Sequence, residues 1–165
     1  MKKEHERPVD ITAAVITVST TRTRETDGSG QAILSLLEEE KIPVLHYSIV
    51  RDDILMIRCG LHEVLGDCNC VILNGGTGIS PDDCTIEAVV PVLDKIIDGF
   101  GEIFRQKSYA DVGTAALLSR AIAGTCRERV VFCLPGSTAA VTLAMKEIIL
   151  PELRHLVSHA RKREQ

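Results

Sequence analysis

The sequence predicts an α/β fold: a three-layer α/β/α sandwich on a mostly parallel sheet. Three observations carry that reading. Short, nearly continuous apolar runs alternate along the chain with longer segments whose apolar residues recur at helical spacing. Such runs mark strands buried on both faces, and their alternation with helices places them in a parallel sheet covered on both sides. The chain has 165 residues, enough for one domain with a real core, and only 3% are aromatic, so that core is aliphatic.

The elements follow in order. Residues 1–10 read as a flexible N-terminal tail, 11–160 as the domain and 161–165 as a basic tail. Ile11 to Val18 is the first strand, and the polar stretch from Ser19 to Gly28 is a loop. Ser29 to Glu40 is a helix, with Ala32, Ile33, Leu36 and Leu37 on one face. Pro43 to Val50 is the second strand, ended by Arg51-Asp52-Asp53, and a helix over about 53–66 buries Ile54, Ile57, Leu61 and Leu65. A strand at 70–74 enters a glycine loop, and a helix at 84–93 follows, shortened or kinked by Pro91. Asp98 opens a helical region reaching Arg120, in which Phe100 and Phe104 are core or subunit contacts. Ala121–Cys126 and Arg129–Leu134 are two strands joined by a tight turn. Pro135-Gly136-Ser137 then starts a long helical stretch, which Pro151 bends, to about Lys162.

Composition excludes several classes. The formal net charge is −4 and there is no Trp, which argues against a nucleic-acid partner held by phosphate contacts and base stacking. No apolar run reaches membrane-spanning length and the N-terminus is charged rather than signal-like, so no membrane partner and a cytoplasmic location are expected. Six cysteines occur without a CxxC pair, and reduced thiols are expected in that compartment. Cys70 and Cys133 lie in apolar runs, where Cys behaves as a small hydrophobe. His155 and His159 have the i, i+4 spacing of metal ligands, but no third ligand is suggested.

The chemistry-bearing loop runs from Gly75 to Asp83: Gly75-Gly76-Thr77-Gly78-Ile79-Ser80-Pro81-Asp82-Asp83. Glycines let backbone N–H groups approach an anion, and the following helix N-terminus adds unpaired donors and positive dipole. Carboxylates beside a phosphate make sense when a cation bridges them, and Mg²⁺ is the usual bridge. A plain glycine turn with an aspartate N-cap is the other reading of the same residues. Neither the dinucleotide fingerprint nor the P-loop is present, since no Lys follows the third glycine. In an open α/β sheet the ligand lies outside the carboxyl ends of the strands. The loops at Ser19–Gly28, Arg51–Asp53, Gly75–Asp83 and Pro135–Ser137 all leave strands there, which suits a phosphorylated, oxygen-rich ligand.

The run Gly75 to Val89 closely resembles the GGTG…DxTxEAV signature of the MoaB/MogA family of molybdenum-cofactor biosynthesis proteins, relatives of the gephyrin G domain. Gly99–Arg105 with Gly113–Ala121, Leu134–Ser137 with Ala140-Val141, and Asp27–Gly30 resemble three further family segments in order and spacing. The resemblance spans about residues 12–157. It implies the MogA/MoaB-like fold and a homo-oligomer, trimeric or hexameric, that binds molybdopterin, a pterin dithiolene with a terminal phosphate. MogA-type members transfer AMP from MgATP to that phosphate and release pyrophosphate.

By the same resemblance Asp83 and Asp52 are catalytic and hold Mg²⁺ against an ATP phosphate. Gly75, Gly76, Thr77 and Gly78 donate to phosphate; Pro135, Gly136 and Ser137 belong to the pterin or phosphate pocket; Asp27, Ser29 and Gly30 border the nucleotide. Ser19, Thr20, Ser108, Ser119 and Arg120 are further candidates, Arg120 equally as an ordinary ion pair. By position alone Asp52 and Asp27 are helix caps. The chain departs from many relatives at Thr20, where they have Asp, and at Asp82, where they have Arg or Lys. Asp82 leaves open a MoaB-type protein that holds pterin without adenylylating it. A CinA-type nucleotide pyrophosphatase has a similar PDDxT run, but the Gly99–Arg105 and Thr114–Ala121 segments fit MoaB/MogA better. A MoeA-type insertion domain carries a different glycine loop and needs a longer chain.

Overall fold

A computed structural model describes residues 9–161; the basic C-terminal tail, apart from Arg161, and residues 1–8 lie outside the described residues. Among the described residues six strands, β1 (Ala13–Val18), β2 (Val44–Val50), β3 (Cys70–Asn74), β4 (Lys95–Ile96), β5 (Ile122–Cys126) and β6 (Arg129–Leu134), form one sheet in the order β2-β1-β3-β6-β5-β4. β2, β1, β3 and β6 are mutually parallel; β5 runs against β6, and β4 against β5. The helices are α1 (Gly28–Glu39), α2 (Ile54–Val64), α3 (Thr85–Val89), α4 (Asp98–Val112), α5 (Thr138–Ala144) and α6 (Leu150–Ala160).

The predicted three layers are present. Successive residues of a strand face opposite ways, so Ala13 and Val15 of β1 join one core while Ala14, Ile16 and Val18 join the other. The first core takes Ile33 and Leu37 of α1, Phe100 and Phe104 of α4, and side chains of α5 and α6. The second takes Ile57, Leu61 and Val64 of α2 with Ala88 and Val89 of α3. Both phenylalanines are core: Phe100 lies 5.4 Å from Phe132, centroid to centroid, in a tilted pair. Cys70 and Cys133 are fully buried, one in each core, as small apolar side chains.

Three predicted elements differ in detail. The helix drawn over 84–93 is α3 followed by a 3₁₀ turn at Val90–Val92, because Pro91 has no N–H for a further α-turn. The region drawn from Asp98 to Arg120 breaks at Gly113 (φ 62°), after which Gly113–Leu118 is 3₁₀. The stretch ahead of Pro151 is a π turn, Met145–Ile149, between α5 and α6, and it accommodates the proline ring that would clash with the carbonyl four residues back. The two-residue β4 was not expected. Val9 and Asp10, placed in the tail from sequence, are tied to the body: Val9 is buried and its carbonyl accepts from Arg154, and the Asp10 carbonyl accepts from Asn69. No helix among the described residues is long and apolar enough to cross a membrane.

Candidate functional site

Because β1, β2, β3 and β6 are parallel, the four loops identified from sequence leave the sheet at one edge. The strand order reverses between β1 and β3: the chain steps from β1 outward to β2, then returns to β3 and beyond. That is the switch point where α/β sheets open a crevice. Its walls are the β1–α1 and β3–α3 loops.

The β3–α3 loop is shaped by two glycines in the left-handed region. Gly75 has φ 91°, and a Cβ there would stand 2.3 Å from the Val18 carbonyl oxygen of β1. Gly76 has φ 63° and faces Thr85 Oγ1 and Asp52 Oδ1. Thr85, the first residue of α3, closes the loop: its hydroxyl donates to the Gly75 carbonyl at 2.7 Å and its N–H to that of Gly76 at 2.9 Å. Gly136 packs on the same loop, its Cβ position only 3.0 Å from Gly75 Cα. Thr77 is buried rather than open to a ligand.

Asp52 and Asp83 flank this loop, and neither caps a helix. Asp53 takes the N-cap of α2, accepting from Met56 N–H at 2.9 Å, so the capping reading of Asp52 does not hold. Asp52 instead turns Oδ2 to the Thr20 backbone N–H (2.9 Å) and hydroxyl (2.8 Å), with Oδ1 against Gly76. The N-cap position of α3 is Cys84, without a side-chain cap, and Asp83 Oδ2 accepts from Ser80 N–H at 3.0 Å beside Gly78. Asp82 is exposed. The thiol of Cys84 reports the local potential: burial, then the carboxylates of Asp52, Asp53, Glu87 and Asp83, push its pKa up.

Asp27, Ser29 and Gly30 require a correction. They were expected to border the nucleotide, but all three are buried. Asp27 caps α1 through Gly30 N–H at 3.0 Å, so its capping reading holds. It also accepts from Thr17 (2.6 Å) and Tyr47 (2.7 Å) and lies 3.6 Å from Arg22. Burial raises its pKa; the bonds from Thr17, Tyr47 and Gly30 and the Arg22 charge outweigh it and hold the carboxyl below the usual range. Asn74 joins the network, donating to Thr17 Oγ1 at 3.0 Å and accepting from Ser29 at 2.6 Å.

The remaining candidates divide. Ser137 caps α5, accepting from Ala140 N–H at 3.1 Å, with Pro135 and Gly136 half-buried before it. Ser19 shapes the β1–α1 loop by accepting from Arg22 N–H at 3.1 Å. Arg120 is paired with Glu87 of α3, as its ion-pair reading anticipated, and Ser119 precedes it after the 3₁₀ turn. Ser108 is buried in α4, which packs against β5 and α5. Sequence reasoning missed Thr17, Arg22, Tyr47, Asn74 and Thr85. Two of them had a visible signal: Asn74 ends an otherwise apolar strand, and Thr85 is the threonine of the DxTxEAV signature. An apolar concavity of about 510 Å³ lies elsewhere, lined by Leu55, Cys59, His62, Val92 and Arg127 among others, and touches none of the four loops. His155 and His159 stack edge to face beside Glu152, and no group of three or more metal-ligating side chains occurs among the described residues.

A covered parallel sheet with a glycine loop and two carboxylates that cap no helix, gathered at its strand-end switch point, is an α/β domain of the architecture that takes ligands at that place. The family described as "Probable molybdopterin binding domain" matches residues 14–155. Over 157 residues the chain is 53% identical to the molybdenum cofactor biosynthesis protein B of Staphylococcus carnosus (strain TM300), covering 93% of this chain and 92% of that one. A crystal structure of a molybdenum cofactor biosynthesis protein B matches with TM-score 0.89 at 48% identity, over 93% of this chain and 98% of that one. The tungsten cofactor synthesizing protein MoaB from Pyrococcus furiosus matches with TM-score 0.85 at 40% identity, over 94% and 100%. The chain belongs to the MoaB/MogA family of molybdopterin-binding domains.

Proposed function

We propose that the protein acts in molybdenum cofactor biosynthesis, binding molybdopterin in the strand-end crevice and adenylylating its terminal phosphate with MgATP. One observation carries the reading: Asp52 and Asp83 are both released from helix capping and set against one glycine loop. In the reaction a phosphate oxygen of molybdopterin attacks the α-phosphorus of ATP. The bond from that phosphorus to the bridging oxygen breaks, and pyrophosphate leaves.

The residues fit a magnesium ion. Each carboxylate keeps Oδ1 out of its loop hydrogen bond while Oδ2 is tied, to Thr20 or to Ser80. Two protein carboxylates with phosphate and water oxygens completing the shell is the usual Mg²⁺ arrangement. Bound there, the ion would neutralise charge developing on the phosphates. It also answers the electrostatics, since an anionic ligand beside Asp52, Asp53, Asp83 and Glu87 is otherwise repelled. The backbone around Gly76, Gly78 and Ser137 supplies fixed donors.

A pterin-binding protein without transferase activity is the second reading. Asp82, exposed where many relatives place a cation, favours it, as does the similarity to proteins named protein B. Incubation with molybdopterin, ATP and Mg²⁺ separates the two. Transfer releases pyrophosphate, and Asp83→Asn or Asp52→Asn lowers kcat by about 100-fold or more while molybdopterin still binds. Pterin affinity with no pyrophosphate from the unmutated chain selects the second reading. In neither reading is a nucleic acid or a membrane a partner, and assembly into a trimer or hexamer is the expected state, checked by light scattering.

A further inference from the structure

Arg22 joins parts of the crevice that lie far apart in sequence. Its Nη1 donates to Ser29 Oγ at 2.7 Å and its Nη2 to the Gly136 carbonyl at 2.8 Å, 114 positions away. The guanidinium also lies 3.6 Å from the buried carboxylate of Asp27. Ser29 is in turn bonded to Asn74, so the fork rests on a buried, fully paired network.

The contact with Gly136 has a stereochemical consequence. In a trans peptide the carbonyl and the following N–H point to opposite sides. Drawing the Gly136 carbonyl toward Arg22 therefore turns the Ser137 N–H away from it. That N–H precedes the first turn of α5 and has no intrahelical acceptor. Rotation of the peptide is opposed from both flanks. The Gly136 backbone runs close enough to Gly75 that a Cβ on it would stand 3.0 Å from Gly75 Cα, and the Ser137 side chain is committed to Ala140 N–H.

We propose that Arg22 is a positioning residue for ligand binding: it fixes the plane of the Gly136–Ser137 peptide, so that Ser137 N–H is a preset donor to the phosphate-bearing ligand. The inference rests on the reading that the Gly136–Ser137 loop borders molybdopterin, and it does not require adenylyl transfer. A two-pronged guanidinium is needed, because one group must reach Ser29 and Gly136 together while facing Asp27; a lysine ammonium lacks the planar fork.

The test uses the full chain with Arg22→Lys and Arg22→Met. Lys retains the charge opposite Asp27 and carries the test if Met fails to fold. The Ser137 amide resonance is recorded without ligand, and molybdopterin affinity is measured by equilibrium binding. In Arg22→Lys we expect a Tm within about 3 °C of the unmutated protein, a displaced Ser137 amide resonance, and affinity lowered about tenfold. Unchanged affinity, or a Ser137 amide that does not move, overturns the proposal. An unmutated protein that binds molybdopterin without releasing pyrophosphate removes the transferase reading and leaves this one standing. Failure of the unmutated protein to bind molybdopterin overturns both.

Discussion

At the scale of single residues, Asp27 governs the region behind the crevice. It is a buried carboxylate with five polar neighbours, and its pKa is held below that of a free aspartate. A depressed folded value means stability that is present above the unfolded value of about 3.9 and is lost as pH falls through the folded one. Asp27→Asn should therefore cost about 1–3 kcal/mol near neutrality and flatten the acid limb of stability against pH, read from urea melts. Tyr47 shows the opposite sign. Burial, then the hydrogen bond to Asp27 and its charge, push the phenol up to about 12. Its stabilising bond is intact below about pH 10 and is lost as pH rises through the folded value. With Tyr109 replaced by Phe, alkaline absorbance titration should show the one remaining tyrosine ionising near 12. Tyr47→Phe removes the bond and should cost about 1–2 kcal/mol. By position alone Asp27 and Asp52 both read as helix caps, and Asp53, the residue that caps α2, was not singled out. Which of them caps and which faces the loop depends on Thr17, Tyr47 and Thr20, partners on other strands and loops.

At the scale of elements, backbone conformation decides what the sequence pattern leaves open. Helix α1 stops because Lys41 adopts φ 56°, with its N–H bonded to the Glu38 carbonyl and that of Ile42 to Leu37. Glycine is the usual residue there; the end at Glu40 was legible instead from the strand that Pro43 opens just beyond it. Lys41→Gly should raise stability by about 0.5–1 kcal/mol in denaturant melts, as glycine occupies the left-handed region without penalty. The β5–β6 turn is similar, with Arg127 (φ 49°) and Glu128 (φ 64°) both left-handed in place of an Asn-Gly pair. The β3–α3 loop is the contrary case. Gly75→Ala meets both a positive φ and the Val18 carbonyl, and should cost about 2–4 kcal/mol and widen the crevice. A loss below about 1 kcal/mol would mean that the β1–β3 edge gives way easily, against the close contact observed.

At the scale of the whole molecule, the aliphatic sheet makes thiol chemistry a report on folding. Cys68, Cys70, Cys126 and Cys133 are buried, Cys84 is half-buried and Cys59 is exposed. Burial pushes Cys68 up to about 11 and Cys70 up to about 12, and raises Cys133 as well. A thiol reagent at about pH 8 should modify Cys59 first and Cys84 slowly, with the four buried thiols appearing only as the sheet unfolds, since thiolate and access are both required. Fast reaction of the buried group would contradict the packed sheet. The alternation of buried runs and amphipathic segments was sufficient, by itself, to determine the layers, the four loops at one edge and most of each helix face. Those follow from local periodicity and from the geometry of parallel connections. Ile54, expected in the buried face of α2, is instead exposed in its first turn. The short strand β4 escaped because two exposed residues, paired only to β5, carry no periodic signal. Only the tertiary structure decided that Asp52 and Asp83 face the glycine loop, that Asp27 is locked behind it, and that Arg22 reaches Gly136. Each of those facts depends on a hydrogen bond or close contact set by packing, in several cases between residues remote in the chain, which residue type and spacing do not encode.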